Sequence, residues 1–198
     1  MKTIETTAYH FDELSDDAKE KARDWYRQFV FSESQDWEHV YEDAKECGRL
    51  IGIEVDKIYF SGFCSQGDGA SFEGSYKYQN GAAKSIRQHA PQDTELHRIA
   101  DQLQEVQKRH FYRLMAYCQH QGHYQHSGCM SVDVEDSEDQ YEDIGDAEDE
   151  ITDLLRSFAD WIYSQLEKEY DYQMSDESVD ENIRCNGYEF TEAGERAR

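Results

Sequence analysis

Positive charge is scarce in this chain: 20 Lys and Arg residues stand against 44 Asp and Glu, a formal net charge of -24. That surplus exceeds what solubility requires and weakens the compact state by self-repulsion. Phosphate backbones and anionic membranes repel such a surface, so direct nucleic-acid binding is disfavoured and a basic protein is the expected partner. Long apolar runs are missing as well. None approaches the roughly 20 residues of a membrane span. The five cysteines, Cys47, Cys64, Cys118, Cys129 and Cys185, have no compact disulfide spacing, and no signal-peptide core precedes them. A reducing cytoplasm is the expected location. No nucleotide or cofactor motif is present. The glycines at 62, 67 and 69 lead into an extended segment, not a helix N-terminus, and therefore read as turn residues and not a phosphate cradle. Cys64 lies beside that turn, but no nucleophile and base are tied together by spacing, and carboxylates are too many for one pair to stand out. The chain is expected not to be an enzyme.

Aromatic residues are plentiful, with 14 Tyr and 9 Phe, and they compensate for a hydrophobic fraction of only 37%. With 198 residues, one domain over 1–198 is expected. Ser15 followed by Asp16 and Asp17 predicts a capped helix burying Ala18, Ala22, Trp25, Tyr26 and Phe29, and a second helix is expected over about 36–46 with Gly48 as its C-terminal cap. Alternation from Ile51 to Phe60, and again from Phe72 to Tyr78, predicts an antiparallel hairpin. A short helix then runs up to Pro91. A longer one has an apolar stripe from Leu96 through Leu114 to Tyr117, with Lys108, Arg109 and Arg113 complementing the dipole at its end. Residues 122–134 read as a third strand. Ser175 should cap a brief late helix, and 185–190 a short final strand. The expected fold class is α+β: a small antiparallel sheet of about three to four strands packed against several α-helices.

The sharpest feature is the stretch 133–153, dense in Asp and Glu with no Lys or Arg. Ile144, Ala147, Ile151, Leu154, Leu155, Phe158 and Ile162 recur at helical spacing, so its second half, from Tyr141 onward, should be held by a buried helix face. Asp139, Asp143, Asp146, Glu150 and Asp153 then form one stripe, and Glu142 and Asp149 lie beside it. The first half, 133–139, is expected to be an acidic loop. It lacks the glycine of an EF-hand at the sixth position, so only weak cation association is predicted there. A second candidate is a zinc site. Cys118, His120, His123, His126 and Cys129 place five potential ligands within twelve residues, of which four would complete a tetrahedral set. The alternative is a polar connecting loop. No other cofactor is implied.

Three segments, YHFDELSDDAKEKARDWYR from Tyr9, YFSGFCSQGDGASFEGSY from Tyr59 and IRCNGYEFTEAGER from Ile183, resemble small acidic proteins of bacteriophages and prophages, some labelled antitoxin-like. The His-rich run near His120 and the density of the acidic tract depart from that pattern. The resemblance supplies no catalytic residues. It implies a mobile-element origin, where small acidic accessory proteins commonly inhibit host defence. Combined with the acidic tract, it leads to an expected function: inhibition of a nucleic-acid-targeting defence protein, a CRISPR effector or restriction nuclease, by mimicry of DNA at its basic channel. The partner-binding residues would be Asp139, Glu142, Asp143, Asp146, Asp149, Glu150 and Asp153. The alternative is an antitoxin-like or regulatory module that binds its partner through an apolar groove.

Overall fold

The computed structural model describes residues 7–31, 36–138 and 144–197. In chain order they form β1 (Tyr9–His10), α1 (Asp16–Phe29), α2 (Glu38–Leu50), β2 (Ile53–Ser61), β3 (Gly69–Lys77), α3 (Ala82–His89), α4 (Thr94–Arg109), β4 (Leu114–His120), β5 (Met130–Asp136), α5 (Ala147–Met174), α6 (Asp176–Cys185) and β6 (Glu189–Phe190). The fold class is α+β. The described residues group into two compact units. One comprises 7–31, 36–37 and 168–197, and the other 38–138 and 144–167. Helix α5 contributes to both.

In the first unit, Ser15 Oγ accepts the Ala18 N–H at 3.4 Å and Ser175 Oγ accepts the Ser178 N–H at 3.3 Å. Each serine thereby satisfies a donor that the first turn of α1 or α6 leaves without an intrahelical acceptor. The apolar faces of these helices, Ala18, Ala22 and Tyr26 on one and Val179 and Ile183 on the other, enclose a core with Phe11, Leu14, Phe31 and Phe190. Arg23 bridges the two helices, its Nε and Nη2 donating to the two carboxylate oxygens of Asp180 at 2.7 and 2.8 Å. Strands β1 and β6 pair antiparallel through Tyr9 with Phe190 and His10 with Glu189.

The second unit is built on a four-stranded antiparallel sheet in the order β2-β3-β4-β5. Alternation places Ile53, Val55, Phe72, Tyr76, Leu114, Ala116, Met130 and Val134 in the core. The α5 residues Ile151, Leu155, Phe158 and Ile162 are buried with them, and Phe158 meets Phe72 edge to face at 5.7 Å. Trp161 Nε1 donates to Asp93 Oδ2 at 2.7 Å, tying α5 to the start of α4.

Four expectations need correcting. Phe29, the last residue of α1, is 62% exposed and not part of the buried face, and Trp25 is only partly buried. The helix that was to carry Leu114 and Tyr117 ends at Arg109, and residues from Leu114 form β4 instead. Phe111 and Tyr112 adopt left-handed backbone angles, φ 54° and 64°, which no α-helix accommodates. Across this break Gln107 donates to the Leu114 carbonyl at 2.7 Å and accepts the Leu114 N–H at 3.2 Å. Gly48 does not cap α2 but lies inside it. A Cβ there would stand 2.8 Å from the Ile53 carbonyl and 3.2 Å from the Phe158 ring, so glycine allows α2 to approach the sheet and α5 closely, and the chain leaves α2 at Gly52 with φ +88°. The acidic segment 133–136 is not a loop. It completes β5, and α5 starts only at Ala147, after Gly145 has taken φ +56°.

Candidate functional site

The acidic tract is divided between sheet and helix. Asp133 and Glu135 pair in register with Tyr117 and Met115 on the solvent side of β5. Asp136, of opposite parity, points inward and is buried, 3.1 Å from Arg113 Nε, while Arg113 Nη1 reaches Glu138 at 2.9 Å. At the other end of the tract Arg109 pairs with Glu150. The cations that seemed to serve the α4 dipole thus anchor the tract at both ends. Glu150 in turn strengthens the hold of Arg109 on its proton, with smaller contributions from Glu105 and Asp146.

Asp139, Glu142 and Asp143, together with Tyr141, lie outside the described residues. Asp146 immediately precedes α5, and its carbonyl accepts the Glu150 N–H at 3.1 Å. Asp149, Glu150 and Asp153 then follow at helical spacing, so the four carboxylates share one face while Ile151, Leu154, Leu155 and Phe158 anchor the other. Asp146, Asp149 and Asp153 are exposed and form no ion pair among the described residues. The first-turn acids Glu148, Asp149 and Glu150 also complement the positive end of the helix dipole. Beside this face lies an open groove of about 510 Å³ between α4 and α5. It is lined by Arg98, Gln102, Val106, Arg109, Glu150, Asp153 and Leu154 among others, mixing both signs of charge with apolar surface.

The five residues expected to hold zinc are not gathered. Cys118 is buried in β4 opposite Val132, and burial pushes its thiol up to about 12. His120 hydrogen-bonds Ser71 Oγ through Nδ1 at 2.9 Å and stacks on Tyr59, ring centroids 4.2 Å apart. His123 is exposed, its ring edge-on to Tyr124. Only His126 and Cys129 approach each other, at 3.7 Å. This loop is seated on the β2–β3 hairpin. A Cβ at Gly67 would fall 2.6 Å from the Tyr124 ring, and one at Gly69 would fall 2.6 Å from the His126 backbone. The glycines of the hairpin therefore provide contact surface for the histidine loop.

A different trio does converge. Asp43, Cys47 and His89 bring one ligand atom each to within 4.8 Å of one another. Asp43 and Cys47 are one helical turn apart on α2, and His89 closes α3, whose contact with α2 makes the group. Sequence spacing gave no signal for it, because the third member lies 42 residues beyond the second.

No helix among the described residues is long and apolar enough to cross a membrane. No curated protein and no solved structure matches the chain. The sequence profile of a domain of unknown function, DUF8835, matches residues 37–176, and the chain belongs to that family.

Proposed function

We propose that this is a phage-encoded, non-catalytic inhibitor that works in the host cytoplasm, where it occupies the basic nucleic-acid channel of a defence protein, a CRISPR effector or restriction nuclease. The observation that carries the reading is the carboxylate row Asp146, Asp149, Glu150 and Asp153 on a helix whose opposite side is buried. At about 1.5 Å of rise per residue the row covers about 10 Å, an average axial step of about 3.5 Å. One strand of B-DNA advances about 3.4 Å along the helix axis per phosphate. The single steps are about 4.5, 1.5 and 4.5 Å, so the match is one of mean charge density along the axis. A rigid helix backbone holds that density without further ordering cost on binding, which favours mimicry over a loosely solvated charge run. The phage origin rests on the sequence resemblance alone.

The test replaces Asp146, Asp149, Glu150 and Asp153 together by Asn and Gln. Inhibition of the host nuclease activity, and capture of a basic protein from host lysate, should both be lost while the far-ultraviolet circular dichroism is unchanged. Full inhibition by the neutralised protein would sink the mimicry mechanism. A second reading, an antitoxin-like module gripping its partner through an apolar groove, would use the cleft between α4 and α5, whose apolar members Val106 and Leu154 are only 2% and 7% exposed. Such a complex should survive high salt, whereas the charge-driven one should not.

A further inference from the structure

The group Asp43, Cys47 and His89 lies well away in sequence from both candidate features read there, and it combines three kinds of donor. A thiol, an imidazole and a carboxylate together match the ligand preferences of zinc(II), which accepts sulfur, nitrogen and oxygen in one tetrahedral shell. Hard cations such as Ca²⁺ and Mg²⁺ want oxygen only.

The local structure sets the three up at different depths. Cys47 is 1% exposed, whereas Asp43 and His89 are exposed at the rim, with His89 Nε2 3.7 Å from Asp43 Oδ1. Their donor atoms lie within 4.8 Å of one another, and tetrahedral zinc with ordinary bond lengths needs about 3.5 Å between donors. Asp43 and His89 are the exposed members, so closing that distance falls to their rotamers. Two further carboxylates, Glu46 and Asp93, act electrostatically on the same thiol together with Asp43. Each is already engaged. Glu46 is paired with Arg49 at 2.6 Å, while Asp93 caps α4 and accepts from Trp161. They contribute negative potential and no ligand, an arrangement that favours a divalent cation over an anion.

We propose that Asp43, Cys47 and His89 form a zinc(II) site with three protein ligands and a fourth position open to solvent. Binding forms the S–Zn, N–Zn and O–Zn bonds and releases the Cys47 thiol proton to water. Among the described residues the His126 and Cys129 pair gathers no third ligand, and it is not part of the site.

The full-length protein, stripped of metal under reducing conditions, is titrated with cobalt(II) as a spectroscopic stand-in. One equivalent should produce the near-ultraviolet thiolate-to-cobalt charge-transfer band, and zinc(II) should displace it. The band should vanish in Cys47→Ser, persist in Cys129→Ser, and require about tenfold or more cobalt in Asp43→Asn and in His89→Gln. The last two change only exposed side chains and serve as the deciding variants if Cys47→Ser does not fold. No band at one equivalent, a band that survives Cys47→Ser or vanishes in Cys129→Ser, or unchanged affinity in both rim variants overturns the site.

Discussion

Arg113 Nε lies 3.1 Å from the carboxylate of Asp136, whose side chain is only 1% exposed. A negative charge taken out of water needs a fixed partner, and Arg113 supplies it from the short turn between α4 and β4. Arg113→Ala should therefore destabilise the fold by about 2–4 kcal/mol in urea unfolding, the cost of leaving one member of a buried pair alone. Arg109→Ala breaks the more exposed pair with Glu150, and its loss should stay within about 1 kcal/mol. Equal losses in the two variants would contradict this ranking.

The same Arg109 neutralises one carboxylate of the row proposed to meet the partner. Its removal leaves Glu150 free, so Arg109→Ala should tighten a charge-driven complex by about threefold or more, measured as Kd by interferometry at low salt. Raising ionic strength from about 50 to 200 mM should weaken the wild-type complex by about tenfold or more, as screening shortens the reach of the four carboxylates. The quadruple Asn/Gln variant should show a flatter salt dependence.

Gly48 faces backbone on one side and a core ring on the other. Gly48→Ala places a methyl 2.8 Å from the Ile53 carbonyl, which cannot rotate away. A loss of about 1–3 kcal/mol, the usual range for overpacking, is expected in denaturant unfolding. A propensity argument alone predicts the opposite sign, since alanine favours helix over glycine by about 1 kcal/mol.

Burial raises the thiols of Cys47 and Cys118 from an ordinary 9.0 to about 12, and near Cys47 the carboxylates of Asp43, Asp93 and Glu46 add to the effect. An acid whose folded-state value is raised stabilises the fold fully below its unfolded value and progressively less above it. Stability should accordingly fall as pH rises from about 9 towards 12, and Cys118→Ala should remove part of that dependence. In the native metal-free protein at neutral pH, a disulfide reagent should label the exposed Cys64 and Cys185 rapidly and reach Cys47 and Cys118 only on unfolding.

Where one local signal decided the structure, the sequence was readable. Ser15 and Ser175 cap α1 and α6, alternation marks β2 and β3, and the apolar stripe of α5 runs through to Leu166. It misled where a helical and an extended reading share residues. Leu114 and Tyr117 continue the stripe of α4 as well as they begin β4, and the break depends on Phe111 and Tyr112, residue types that seldom adopt left-handed angles. Gly48 looks like a cap, and only the closeness of Phe158, 110 residues away, explains it. The candidate acidic face was legible as charge but not as geometry. Glu150 meets Arg109 across 41 residues, and Asp136 is buried because β5 extends further than its composition suggests.

Arg109 and Arg113 stand four residues apart and hold opposite ends of one stretch of chain, Glu138 and Glu150. The separation between those ends is thereby fixed by α4 and its turn, whatever the length of the segment joining them. Strand β5 and helix α5 are thus clasped by side chains from one short piece of backbone, so that loosening the end of α4 would release both ends of the acidic stretch together.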